Sequence, residues 1–265
     1  MKKIITLIVS VVLAIVAVFS MTGCGKVADL KRVQDNGKLV VGVTIYEPMD
    51  YIDSETSEWT GFDAELAQMY AASLGVNCQL VIINWANKVA ELDSMQIDLI
   101  WNGMTASESL GQSIDFSVSY AKNAQVAVVK KTSGITTAEQ IKNASIAVEN
   151  GSAGATVAEE IGATNITKKD DGQVGALTEV LSGSSEVAII DITMAQSVVG
   201  KGVYADLEVV EGVSYGDEIF AVGLRKGSDL KESLDAFLKA KYADGTMATL
   251  AAKYEVGLNT EALAQ

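Results

Sequence analysis

No histidine occurs in the 265 residues. That absence removes the Ser–His and Cys–His pairs of nucleophilic catalysis and every His-ligated metal site. No enzymatic role and no bound metal are expected. Cysteine is nearly absent too, with Cys24 and Cys78 alone, and Pro48 is the single proline. Positive charge is scarce: 20 Lys and Arg stand against 34 Asp and Glu, for a net −14. Such a surface repels a phosphate backbone, which excludes a nucleic-acid partner. Neither a Walker A nor a GxGxxG stretch is present, so no nucleotide-type cofactor is expected.

What the chain has is apolar content, 49% with 20% charged, enough for a core in one or two domains. Lys2 and Lys3 precede an apolar run over 4–19, broken only by Thr6 and Ser10. This is the order of an export signal, and the run is shorter than the ~20 residues of a membrane span. Met21-Thr22-Gly23-Cys24 resembles a bacterial lipobox. The expectation is a lipoprotein signal peptide over 1–23 and a lipid-bearing Cys24. Two acyl chains of a diacylglycerol, palmitate among them, would hold the mature chain on a membrane face outside the cytoplasm. Residues 24–37 read as a polar linker from lipid to domain. Cys78, left without a partner, reads as a small buried hydrophobe.

From residue 38 onward short β-rich runs alternate with helical ones, which argues for an α/β fold. Strands are predicted at 39–44, 79–83, 97–101, 125–130, 145–149, 187–190, 207–210 and 219–225. Helices are predicted at 62–74, 87–95, 137–142, 152–161, 173–181, 193–199, 230–243 and 246–254. Pro48 draws attention to the loop after the first strand, because α/β proteins bind ligands at the carboxyl ends of parallel strands. Gly212-Val213-Ser214-Tyr215-Gly216 fits the nucleophile elbow GxSxG but is inert without a histidine. Ser119-Tyr120-Ala121-Lys122 and Lys131-Thr132-Ser133-Gly134 lie too close together to be the paired elements of a β-lactamase.

Six segments occur in a familiar order. They are Leu39-Val40-Val41-Gly42-Val43-Thr44 with Tyr46-Glu47-Pro48-Met49; Gly61-Phe62-Asp63-Ala64-Glu65-Leu66; Ile97-Asp98-Leu99-Ile100-Trp101-Asn102-Gly103-Met104-Thr105; Ile114-Asp115-Phe116-Ser117; Val148-Glu149-Asn150-Gly151-Ser152; and Ala221-Val222-Gly223-Leu224-Arg225-Lys226-Gly227. In this order they resemble the family 3 extracytoplasmic solute-binding proteins, the amino-acid receptors of ABC importers. The resemblance implies a two-lobed periplasmic-binding-protein type II fold. Lobe 1 would comprise 38–122 and 220–265, and lobe 2 126–216. Two crossings near 123–126 and 218–221 would form the hinge, and a solute touching both lobes would close them. It also implies a monomer that hands its solute to a membrane permease.

The same resemblance assigns the cleft. Tyr46 and Trp85 fall at aromatic walls on opposite sides of the ligand. Asn102, Gly103 and Thr105 match the segment that receives the ligand's amino and carboxylate ends, with Trp101 beside it or on the pocket floor. In lobe 2, Ser152 opens a helix whose free N–H groups suit a carboxylate. Asp191 matches the aspartate that pairs with an ammonium, and Glu149 a further cleft position.

Two positions depart from the family. Leu110 stands where α-amino-acid binders carry an arginine that grips the α-carboxylate, and Ala153 replaces the usual Ser or Thr. Either the solute lacks an α-carboxylate, as a cationic amine would, or another cation such as Lys88 or Lys122 substitutes. The main expectation is an amine-bearing solute, with an amino acid ahead of a simple amine. A sensory lipoprotein and a dehydratase-like lyase are the remaining alternatives.

Overall fold

The computed structural model describes residues 27–265. The export segment and Cys24 lie outside the described residues. The strands are, in chain order, β1 (Lys38–Val43), β2 (Tyr51–Ile52), β3 (Trp59–Thr60), β4 (Asn77–Ile82), β5 (Leu99–Ile100), β6 (Ile114–Phe116), β7 (Ala121–Lys130), β8 (Ile146–Glu149), β9 (Ile166–Lys169), β10 (Val187–Asp191), β11 (Leu207–Phe220) and β12 (Gly223–Arg225). They form two five-stranded sheets and one small hairpin. The first sheet has the order β4-β1-β5-β12-β6, the second β11-β7-β10-β8-β9, and β2 pairs with β3.

The sequence dictates this arrangement through burial. Strand β1 reads KLVVGV and β10 reads VAIID, apolar runs without alternation, as strands covered on both faces require. Strand β1 pairs in parallel with β4 and β5, and β8 with β9 and β10, each pair connected through helices. Helix Phe62–Ser73 buries Phe62, Leu66 and Tyr70 in the first lobe. There Tyr70, Trp101 and Tyr120 form a chain of tilted rings with centroids 6.4 Å apart.

The sheets are joined by β7 and β11, which run antiparallel from Ala121↔Phe220 to Leu207↔Lys130, with bulges between Val209 and Ser214 and between Tyr215 and Asp217. The sequence suggested two separate strands at 207–210 and 219–225. Instead one 14-residue strand spans most of that stretch, because the bulges let it bend while it follows β7, and the chain breaks only before β12.

The polar stretch expected as a linker is also different. Residues Asp29–Asn36 form a helix packed on the first lobe, preceded by a parallel bridge between Val27 and Ser228. The buried Asp29 carboxylate accepts from Arg225 Nε at 3.0 Å, Arg225 Nη2 at 2.8 Å and Ser228 Oγ at 2.7 Å. Arg225 Nη1 also donates to the carbonyls of Leu92 and Ile97, and Arg32 bridges Asp29 to Asp98. Burial pushes the Asp29 carboxyl up, but Arg225 and Ser228 outweigh it and hold the group below the ordinary carboxylate value.

Removing one partner of a buried ion pair leaves the other uncompensated and costs about 3–5 kcal/mol. Arg225→Met is therefore expected to lower the urea midpoint by that equivalent at unchanged m-value. A loss below 1 kcal/mol would show that the Asp29 helix is not clamped in this way.

Candidate functional site

The carboxyl ends of β1 and β5 in the first lobe face those of β8 and β10 in the second. Between them lies a cavity of about 470 Å³. This is the position and size of a small-molecule site in an open α/β sheet. Each of Tyr46, Trp85, Asn102, Gly103, Thr105, Leu110, Glu149, Ser152, Ala153 and Asp191 lines it.

Tyr46 follows β1 and meets Phe220 edge to face, with centroids 6.5 Å apart. Its hydroxyl is buried without a hydrogen-bond partner. The ring fits because Gly103 (φ +53°) has no Cβ: one built there would lie 2.7 Å from Tyr46 Cε1. Asn102 and Gly103 face inward to their own lobe. The Asn102 side chain donates to the Thr44 carbonyl and to Asp50 and accepts from Thr44 N and Oγ1. The Gly103 amide donates to Asp63 at 2.7 Å. These groups shape the wall through bonds within their own lobe, and the Thr105 hydroxyl donates to Glu218 at 3.0 Å. Trp101 is fully buried among the first lobe's rings, away from the lining, because its neighbours Tyr70 and Tyr120 enclose it.

Trp85 lies under an ammonium: Lys88 Nζ sits 4.7 Å from the ring centroid and donates to the Trp85 carbonyl at 3.2 Å. It also crosses the cleft to the Gly151 carbonyl at 2.8 Å. Lys122, the other cation considered from the sequence, is exposed on β7 and does not line the cavity, since the alternation of the strand turns it to solvent. Leu110 lies in the short helix Glu108–Gly111 and presents itself to the cavity. Ser152 caps helix Ala153–Glu160, accepting from the Ala155 amide at 3.1 Å.

Asp191 ends β10 at the N-cap position of helix Ile192–Val198, yet its side chain does not cap that helix. Instead the carboxylate accepts from three side-chain amides, Asn123, Gln125 and Gln173, the Gln125 bond being 2.6 Å. Asn123 and Gln125 also donate to Glu218, at 2.9 and 3.0 Å. The amides thus hold two carboxylates side by side. Gln125, Gln173 and Glu218 line the cavity and were missed from the sequence. Gln173 at the start of a helix and the alternation of polar with apolar residues in β7 were the available signals.

The electrostatics follow from burial. Burial pushes the Asp191 carboxyl up to about 7, Glu218's charge adds to it, and the three amides oppose it. Glu149 is raised to about 8 by burial and then by Asp191, with Lys88 opposing. Its Oε1 is buried without a partner. Burial lowers Lys88 to about 8 despite the pull of Glu149. The cavity is an acidic slot in which burial favours the protonated carboxyls and an arriving positive charge would favour their ionised form. Among the described residues, no group of three or more metal-type side chains is placed to hold an ion, and no helix is long and apolar enough to cross a membrane.

Two α/β lobes on a double-stranded connection, with a polar cleft at the strand ends, define a solute-receptor architecture. The chain belongs to the bacterial extracellular solute-binding proteins, family 3, which residues 39–257 match. It is similar to the L-cystine-binding protein TcyJ of Escherichia coli, 27% identical over 244 residues that cover 91% of each chain. Among solved structures, the arginine-, lysine-, histidine-binding protein ArtJ of Geobacillus stearothermophilus superposes with a TM-score of 0.78 at 28% identity, over 86% of this chain and all of that one. A histidine-bound ABC uptake transporter substrate-binding protein of Streptococcus pneumoniae gives 0.77 at 29%, over 85% and 95%. A cyclohexadienyl dehydratase of Pseudomonas aeruginosa matches over 115 residues only, 42% of each chain, at 27% identity.

Because Glu149 and Asp191 hold protons more tightly in the folded protein than an ordinary carboxyl does unfolded, the empty protein binds more protons folded than unfolded between about pH 4 and 8. Stability therefore falls as pH rises through that window. Melting temperature in the absence of solute is expected to drop between pH 5 and 8, less steeply in Glu149→Gln. A rise across the same interval would contradict the assignment of these two carboxyls.

Proposed function

We propose that this chain is an extracytoplasmic receptor that captures a small amine-bearing solute between its lobes and delivers it to the permease of an ABC importer. The observation that carries the reading is the Asp191 carboxylate, buried at a strand end on the cavity wall and oriented by three amides. A carboxylate fixed in a poorly solvated slot is a receptor for an ammonium group, since charge-assisted hydrogen bonds strengthen where water is excluded. Tyr46 and Trp85 supply the apolar walls, and Thr105 and the first turn after Ser152 supply donors. The relatives that match over most of their length are named as binders of cystine, of arginine, lysine and histidine, and of histidine, all amine-bearing solutes. That supports binding over a lyase activity, and the Streptococcus relative supports delivery to an ABC transporter.

Closure would pivot on β7 and β11 near 123–126 and 218–221, with lobe 1 formed by 38–122 and 220–265 and lobe 2 by 126–216. Solute shifts the equilibrium by touching both lobes, and Lys88 on Gly151 is a ready bond of the closed form. The lipobox over 21–24 supports attachment through a lipid on Cys24. The receptor would act as a monomer on the outer membrane face of the permease.

Asp191→Asn removes the charge and keeps the shape. Losing a hydrogen bond to a charged group is worth roughly 1.5–3 kcal/mol, so affinity for the cognate amine is expected to fall by one to two decades in calorimetric titration. The melting temperature of the empty variant should hold or rise, because the repulsion from Glu218 disappears. Unaltered affinity would refute the role given to Asp191.

A further inference from the structure

The cavity is built asymmetrically for charge. Its acidic lining residues, Glu149, Glu160, Asp191 and Glu218, come from β8, a helix end, β10 and β11. Among the described residues one cation lines it, Lys88, and that ammonium is already committed to the Trp85 and Gly151 carbonyls and to the Trp85 ring. Two polar atoms more than nine-tenths buried stand on the wall without partners, Glu149 Oε1 and the Tyr46 hydroxyl. The first can only accept while ionised, and the second can accept or donate. Both fit a ligand that brings N–H donors.

The opposite arm of the cavity runs between helices Glu108–Gly111 and Ala153–Glu160. Its walls are Leu110, Val157 and the hydroxyl-bearing Ser109 and Thr156. Among the described lining residues no cation other than Lys88 is present, its ammonium is taken up by the carbonyls of Trp85 and Gly151, and Glu160 belongs to the same lining. Leu110 and Val157 are half-buried and Ser109, Thr156 and Glu160 are exposed, so a free carboxylate placed there would lose its water as the lobes close over it, beside another carboxylate and with serine and threonine hydroxyls and the leading amides of one helix as donors. Desolvating an ion without a paired counter-charge is strongly unfavourable, whereas an uncharged or apolar end loses nothing by it.

We infer that the solute is a small organic amine without a free carboxylate, its ammonium held between Asp191, Glu149 and Glu218 and its body lying along Leu110 toward Val157. This narrows the ligand class of the same cleft and rests on the receptor reading. Leu110 and Ala153 then act as specificity residues: they take away the two groups that would reward an α-carboxylate and leave a surface suited to methylene groups.

Matched pairs that differ by the α-carboxylate alone isolate the question. The full-length mature protein is titrated with cadaverine against lysine, agmatine against arginine and tyramine against tyrosine, after a thermal-shift screen of the twenty amino acids and their decarboxylated counterparts. The amine of the best-binding pair is expected to bind at least tenfold more tightly than its amino acid. Leu110→Arg should reverse that order while leaving the fold intact, as judged by circular dichroism. Tighter binding of the amino acid by the wild type would overturn the inference and leave the receptor reading standing, with the helix start after Ser152 as the carboxylate site. A screen in which no amine and no amino acid binds would overturn both. Should Leu110→Arg fail to fold, Ala153→Thr tests the same arm from the other lobe. It should narrow the preference, and an unchanged ratio there would count against the arm as the determinant.

Discussion

Two antiparallel strands that pass through both lobes carry this molecule. Strands β7 and β11 are at once the connection between the sheets, a central and an edge strand of the second sheet, and the source of the side chains that steady the cleft's aspartate. Asn123 and Glu218 are direct partners in the register, and Gln125 lies two residues further along. The bond that holds Asp191 in place is therefore made by the same backbone that must bend if the lobes move. The repulsion between Asp191 and Glu218 is restrained by amides that stand on the strands joining the two sheets.

Burying like charges is tolerable because three neutral donors meet the Asp191 carboxylate and burial favours its protonated form. Three side-chain amides on one carboxylate are an unusual concentration of neutral donors. Cations in the same places would have filled the site permanently. Neutral amides orient the carboxylate and leave its charge available. Lys88 follows the complementary logic: its ammonium tempers Glu149 across the cleft but directs its hydrogen bonds to carbonyls, so it joins the lobes without sealing the slot.

Much of the cleft was legible in the sequence because the family resemblance assigns it to residues that follow or end strands, where an α/β sheet presents its side chains to a ligand. Tyr46 after β1, Glu149 at the end of β8 and Asp191 at the end of β10 are of this kind. What was not legible depends on partners far away in the chain. Gln125 and Gln173 look like ordinary polar residues until the fold brings them against Asp191, 66 and 18 residues away. Helix Asp29–Asn36 reads as a tether because its polar residues outnumber its buried ones. It is pinned through Arg225, almost two hundred residues later. Trp101 was drawn toward the pocket by its neighbours Asn102 and Gly103, but it is buried against Tyr70 and Tyr120 while they form the wall.

The lobes also meet at Gly151, whose positive φ of +73° brings its backbone against Ala86; a Cβ there would lie 2.9 Å from Ala86 Cα. Since the obstacle is backbone, it cannot swing aside. Even a methyl group would work as a doorstop, propping the jaws ajar at the point where Lys88 reaches over, so the absence of a side chain here is what lets the two backbones come so near.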